Sequence, residues 1–171
     1  MTREREIDGS IKPAIPYLEF YGASSEPPLV GWQWYPIIWN TWNIITSDFI
    51  IKDDGMVTSV VIQTTGLYRI DFQLKMCSGE GDGNYKSHLL LNTVEVQYSV
   101  GFSHAPIGNC ITLFTTITLY LHKNDIIVCE WATDNATNCT GEDSVFRINY
   151  VPMLGWNNNQ AGVAVNRGIR R

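Results

Sequence analysis

The chain has little charge and almost no helical signal. Across its 171 residues no ten-residue stretch repeats apolar side chains at a helical spacing, which argues against helical bundles and α/β architectures. No apolar run approaches the ~20 residues of a membrane-spanning helix. The N-terminus, Met1 to Asp8, is charged and lacks the apolar centre of a secretory leader. The expectation is a chain that folds in a cytosol, or whose leader lies outside this sequence. A virus or phage protein made inside a host fits the first case.

Signatures of catalysis are equally scarce. The three histidines, His88, His104 and His122, form no His-x-His or His-Glu-x-x-His spacing, so a catalytic metal has no anchor. Gly-x-Ser-x-Gly is absent, as is a phosphate-cradling glycine loop leading into a helix. A nucleophile pair from Cys110 and His104 has only closeness in sequence to recommend it. The reading is a non-enzyme that needs no cofactor.

Charged residues make up 17% of the chain, against the ~25% usual for soluble domains. Either partners cover part of the surface, or Thr, Ser and Asn keep it polar without charge. Twelve basic and 17 acidic residues leave a net charge of −5, which makes nucleic acid an unlikely partner for the body of the domain. The exception is the terminal run Asn166 to Arg171, read as a solvated tail that helps assembly.

The four cysteines, Cys77, Cys110, Cys129 and Cys139, are widely spaced with no Cys-x-x-Cys, which disfavours zinc. Reduced thiols are expected, with Cys129 in the core. Under oxidising conditions Cys77 and Cys139, at loop edges, are candidates to pair, although four cysteines allow three connectivities and all stay open. The triplets Asn135-Ala136-Thr137 and Asn138-Cys139-Thr140 match glycosylation acceptors, but polar loops often produce such triplets by chance.

What the chain does have is strands. From Leu67 to Met76 the alternation is clean: Tyr68, Ile70, Phe72, Leu74 and Met76 share one face, and Leu67, Arg69, Asp71, Gln73 and Lys75 the other. A β-branched run, Val57 to Gln63, precedes it, and Thr64-Thr65-Gly66 forms the corner, with glycine expected there for its conformational freedom. Lys52-Asp53-Asp54-Gly55 is a hairpin turn. Further strands are expected at Tyr17–Tyr21, Ile44–Ile51, Lys86–Leu91, Val94–Val100, Cys110–Leu121, Ile126–Trp131 and Ser144–Leu154, with Gly101–Asn109 a loop. Met1–Pro13 reads as an arm, residues 14–154 as the domain and residues 155–171 as a tail.

Two segments are candidate sites. Trp32, Trp34, Trp39 and Trp42 concentrate four of the six tryptophans in one stretch, with Trp32 and Trp34 on one strand face. They suit core and subunit-interface packing, or a platform for a sugar or partner. Glu80, Asp82 and Asn84 alternate like the first oxygen ligands of a calcium loop. Leu91 stands where the bidentate acid belongs, so a solvated hairpin tip is the simpler account.

The stretch Val61-Ile62-Gln63-Thr64-Thr65-Gly66-Leu67-Tyr68-Arg69-Ile70-Asp71-Phe72 resembles the strand–Gly–Leu/Val–Tyr–strand signature of the complement-head and tumour-necrosis-factor-like jelly rolls. Ile117 to Val128, with Leu119-Tyr120-Leu121-His122-Lys123-Asn124-Asp125, and the closing strand Ser144 to Val151 are similar to that family's later motifs, in the same order. The resemblance implies an all-β antiparallel jelly-roll sandwich, here of about ten strands, and a homotrimer packed around a threefold axis lined by the face carrying Tyr68 or its neighbours. No collagen-like stalk accompanies it, which turns the expectation from a signalling ligand to a structural or attachment module of a virion or cell surface. Such a module binds itself, other structural proteins of a larger particle and, as an option, a glycan receptor. A carbohydrate-binding module using the Trp-rich segment is the alternative.

Overall fold

A computed structural model describes residues 15–24, 32–44, 46–77, 81–97, 100–134 and 141–152. The expected arm, the expected tail and Cys139 lie outside these residues. The elements are β1 (Tyr17–Ser24), β2 (Tyr35–Pro36), β3 (Ile38–Ile44), β4 (Phe49–Asp53), β5 (Thr58–Ile62), β6 (Gly66–Cys77), β7 (Gly83–Leu91), β8 (Val94–Glu95), β9 (Gly101–Ala105), β10 (Cys110–Leu121), β11 (Ile126–Thr133) and β12 (Gly141–Tyr150). No helix is among them. One sheet runs β10-β6-β12-β1-β3, and the other runs β4-β5-β11-β7-β8, with β2 also on β11 and β9 also on β7. The paired strands are antiparallel throughout.

β6 behaves as its alternation demands. Tyr68, Ile70, Phe72, Leu74 and Met76 are buried, while Leu67, Arg69, Asp71, Gln73 and Lys75 face outward. The core between the sheets is rich in aromatics. Phe20 stacks on Trp39 with centroids 5.8 Å apart and packs against Phe146 at 5.7 Å. Trp131 and Tyr85 fill it from the second sheet. Burying each such side chain contributes roughly 1.5–3 kcal/mol, so this cluster supplies much of the drive to close the sandwich.

Several local expectations need correction. The corner before β6 requires glycine for space, not for backbone freedom: Gly66 does not take a positive φ, but a Cβ there would collide with the Tyr150 ring. Freedom is needed at Gly55, whose φ of 80° closes the β4–β5 hairpin over Asp53 and Asp54, both of which accept backbone N–H bonds. Of the strand expected over Val94–Val100, the described residues form only Val94–Glu95 as strand. Asn92 and Thr93 both take positive φ, 52° and 73°, making a two-residue turn that a weak Asn-Thr signal did not advertise. The loop expected over Gly101–Asn109 begins as β9, because β7 is long enough to pair with β8 near its end and with β9 near its start.

The cysteines also depart from the expected reduced state. Cys77 and Cys110 stand directly opposite each other in the β6–β10 register and form a disulfide, with Cα atoms 3.9 Å apart. Cys77 therefore does not pair with Cys139. Strand register, invisible in linear spacing, decides the pairing. Cys129 is free and buried, as expected, and burial pushes its thiol pKa well up.

Candidate interaction surfaces

The sandwich presents two outward sheet faces. On the five-stranded sheet, β6 turns out Arg69, Asp71, Gln73 and Lys75, and β10 turns out Thr112, Phe114, Thr116 and Thr118 beside them. Phe114 is 61% exposed in the middle of this row. The charges around it are tied down within the protomer. Arg69 pairs with Asp71 at 3.0 Å, Thr116 donates to the same carboxylate at 2.8 Å, and Lys75 pairs with Asp143.

Farther across this face Glu19 is buried despite facing outward. It accepts hydrogen bonds from the hydroxyls of Tyr17 and Tyr21, and Arg147 forms an ion pair with it. Burial pushes the Glu19 carboxyl up, but these three donors outweigh it and hold the group below its ordinary range. Burial, and then the bond to Glu19, pushes the Tyr17 hydroxyl up to about 12. The bond to Glu19 is the main cause of the upward shift at Tyr21. The result is an outer surface with Phe114 protruding from β10, a row of threonines, the exposed ring of Tyr21 on β1, and ion pairs closed within the protomer.

The other face belongs to the seven-stranded sheet. Tyr85 and Leu89 of β7 point into the core, so Lys86 and His88 point out. The chain enters this face at Trp32, which takes a left-handed φ of 56° and donates its N–H to the Thr133 carbonyl at 2.6 Å. Trp32 and Trp34 precede β2, so they lie in a turn and an extended crossing instead of on one strand. Even so, both indoles pack on the same sheet. The Lys86 ammonium sits 4.0 Å from the centroid of the Trp32 ring, and Trp34 lies nearly parallel to the His88 ring, 3.7 Å away and tilted by 11°. Trp32 remains 42% exposed and Trp34 37%. Each indole thus has one face occupied by the protein and substantial surface still open. Phe102, opposite Lys86 in the β7–β9 register, adds a third exposed ring.

Beneath Trp34, His88 is almost fully buried. Its Nδ1 lies 2.9 Å from Glu95 Oε2 on β8, and its Nε2 lies 2.9 Å from Glu130 Oε2 on β11. Linear spacing does not mark this grouping. Its signal was a histidine in an alternating strand at an outward position; its two partners are 7 and 42 residues away and only the sheet register unites them.

The other expected site residues scatter. Trp39 and Tyr68 are core residues, essentially without exposure, and Tyr68 donates its hydroxyl to the Thr64 carbonyl at 2.7 Å. A side chain buried inside the protomer cannot line an axis between protomers; the opposite face of β6 is the one that points outward. Trp42, 45% exposed, edges the core against Phe20 on the outer strand β3. Glu80 lies outside the described residues. Asp82 accepts the Ile107 N–H at 2.8 Å. Asn84 is bonded through its backbone and its side-chain amide to Asp134, with its side-chain oxygen 3.2 Å from His104 Nδ1. These oxygens cross-link loops, and among the described residues no group of three His, Cys, Asp or Glu is placed to hold a metal ion.

No protein-family model and no curated protein sequence matches the chain. Its fold does match solved structures. Murine APRIL, crystallised at pH 8.0, superposes with a TM-score of 0.56 at 11% identity, over 81% of this chain and all of that one. APRIL at pH 5.0 gives 0.56 at 12% identity with the same coverage. The Eiger TNF of S. frugiperda gives 0.52 at 11% identity, over 81% of this chain and 94% of that one. At such identities the likeness speaks for architecture: the chain has the tumour-necrosis-factor-like jelly-roll fold.

Proposed function

We propose that the protein is a non-catalytic homotrimeric module for structure or attachment, a component of a virion or a cell surface. The fold commonly forms trimers. The observation that carries the reading here is the outward face of the five-stranded sheet, where exposed Phe114 stands among threonines with the nearby charges paired inside the protomer. Burying such a face against another copy removes apolar surface from water and strands few unpaired charges. The Cys77–Cys110 disulfide favours an oxidising setting, and so the exposed surface of a cell or particle. The jelly roll's wide use in capsids adds only fold-level analogy.

Light scattering on a size-exclusion column tests the assembly. The expected mass is three times the 19.3 kDa of the chain, and Phe114→Asp, which removes no core contact, should return it to one. A monomeric wild type overturns the reading; a trimer untouched by Phe114→Asp moves the interface elsewhere.

A second reading, glycan binding, is favoured by the back-packed indoles of Trp32 and Trp34. Rings held on one face and open elsewhere are pre-organised to stack on a sugar at little entropic cost. Glycan-array binding that is lost in Trp34→Ala is the supporting result, and an array without hits removes this reading.

A further inference from the structure

We propose that His88 is a proton-operated latch for the aromatic segment Trp32–Trp34, so that the presentation of this surface follows pH. This goes beyond the assembly role, which rests on the opposite sheet.

Both ring nitrogens of His88 face a carboxylate oxygen at 2.9 Å, Glu95 on one side and Glu130 on the other. Carboxylates only accept, so each nitrogen must donate, and only the imidazolium carries two N–H groups. A neutral ring satisfies one glutamate and turns a lone pair on the other. The ring is 3% exposed, so water has little room to repair that mismatch. Trp34 covers the ring at 3.7 Å, and an indole face attracts a cation more than a neutral imidazole. Proton loss therefore weakens two contacts at once.

The groups facing the ring come from three elements. β8 supplies Glu95 and β11 supplies Glu130. On β7 itself Lys86 lies two residues away, engaged with Trp32. Gln33, which separates the two tryptophans in sequence, is uncharged and accepts the Tyr35 hydroxyl at 2.6 Å in an exposed bond. The weak partner is Glu95, whose side chain is 52% exposed, against 18% for Glu130. When the proton leaves, Glu95 swings into solvent and the Trp34 stack loosens. Histidine in general is the side chain whose charge changes between about pH 5 and 8, and that is the range to test.

The test follows tryptophan emission and the protection of the Trp32 amide, which is bonded to Thr133, from about pH 5.5 to about pH 8. Exchange rates are corrected for intrinsic base catalysis. In the wild type, emission should change with a single-proton profile, and corrected exchange at Trp32 should rise roughly tenfold, the effect of one lost hydrogen bond. Trp34→Phe should remove the emission change, and His104→Gln should keep it.

The decisive variant is Glu95→Gln. Its amide donates to an unprotonated Nδ1 while Nε2–H still serves Glu130, so the latch should stay shut at the alkaline end and the pH response should flatten. The substitution is isosteric at a half-exposed side chain and should leave folding intact. Ring 15N spectra of wild-type His88 provide a second reading that needs no variant: two protonated nitrogens at the acid end, one at the other. A ring that does not change state, a wild type without a pH response, or a Glu95→Gln response equal to the wild type's would each overturn the latch.

Discussion

Reducing the Cys77–Cys110 disulfide should destabilise the domain by about as much as a large core truncation. The bond joins residues 33 apart, and the segment it closes holds β7, β8 and β9, a large part of the second sheet. In the chain-entropy treatment a loop of this length loses about 12.5 cal/mol/K in the unfolded state, which is about 3.7 kcal/mol at room temperature. For a chain of this size that corresponds to a fall in Tm of roughly 10 °C. The native state should change little, because β6 and β10 are held by a twelve-residue register of which the cysteines are only the last pair. The assay is urea unfolding of the oxidised protein, the reduced protein and the Cys77→Ala/Cys110→Ala double variant. The m-value should rise on reduction, since an uncrosslinked unfolded chain exposes more surface. Peptide mapping must find Cys77 linked to Cys110, and Cys129, buried and free, should label only on unfolding. A stability loss below about 1 kcal/mol would refute the entropic reasoning, and linkage to any other cysteine would refute the register.

Four smaller perturbations probe the rest of the frame. Thr93→Gly should stabilise by about 1 kcal/mol in denaturant melts, because a β-branched residue at a φ of 73° is strained and glycine is not. Gly66→Ala should cost about 1–3 kcal/mol by driving a methyl into the Tyr150 ring, with Tyr150→Leu recovering part of the loss. Ser87→Ala should be neutral or stabilising by about 1 kcal/mol, since its buried hydroxyl has no hydrogen-bond partner. The Glu19 carboxyl is held low in the folded state, so its contribution is present above the unfolded carboxylate range and fades as pH falls through the folded value; Glu19→Gln should flatten the acid limb of a stability–pH curve.

Strands with a strict period of two were readable because burial on one face writes itself into the sequence. β6 and β10 are the examples: Tyr68 to Met76 and Leu113 to Leu121 alternate, and both strands stand nearly where expected. β8 and β9 were not readable, because β8 is set by a turn whose residues carry no strong signal, and β9 mixes exposed Phe102 with Gly101 pressed against Ser87. The candidate surfaces were half readable. Tryptophan clustering marked the right segment, yet burial divided it: Trp39 went to the core and Trp32 and Trp34 to the outer sheet. What no linear reading could supply was register, and register creates both the disulfide and the His88 grouping.

The two surfaces lie on opposite sheets, and that separation has a functional consequence. A trimer built through the Phe114 face leaves the Trp32–Trp34 face of each protomer free of that contact. Three copies of one platform on a rigid assembly convert a weak single-site affinity into a far stronger joint one, provided the ligand can span them. Under this arrangement Phe114→Asp should weaken attachment to a multivalent surface while leaving binding of a soluble monovalent ligand unchanged. Trp34→Ala should abolish both and leave the mass at three chains. If Phe114→Asp instead reduced monovalent binding as well, the two faces would not be independent, and the platform would have to be completed by a neighbouring protomer.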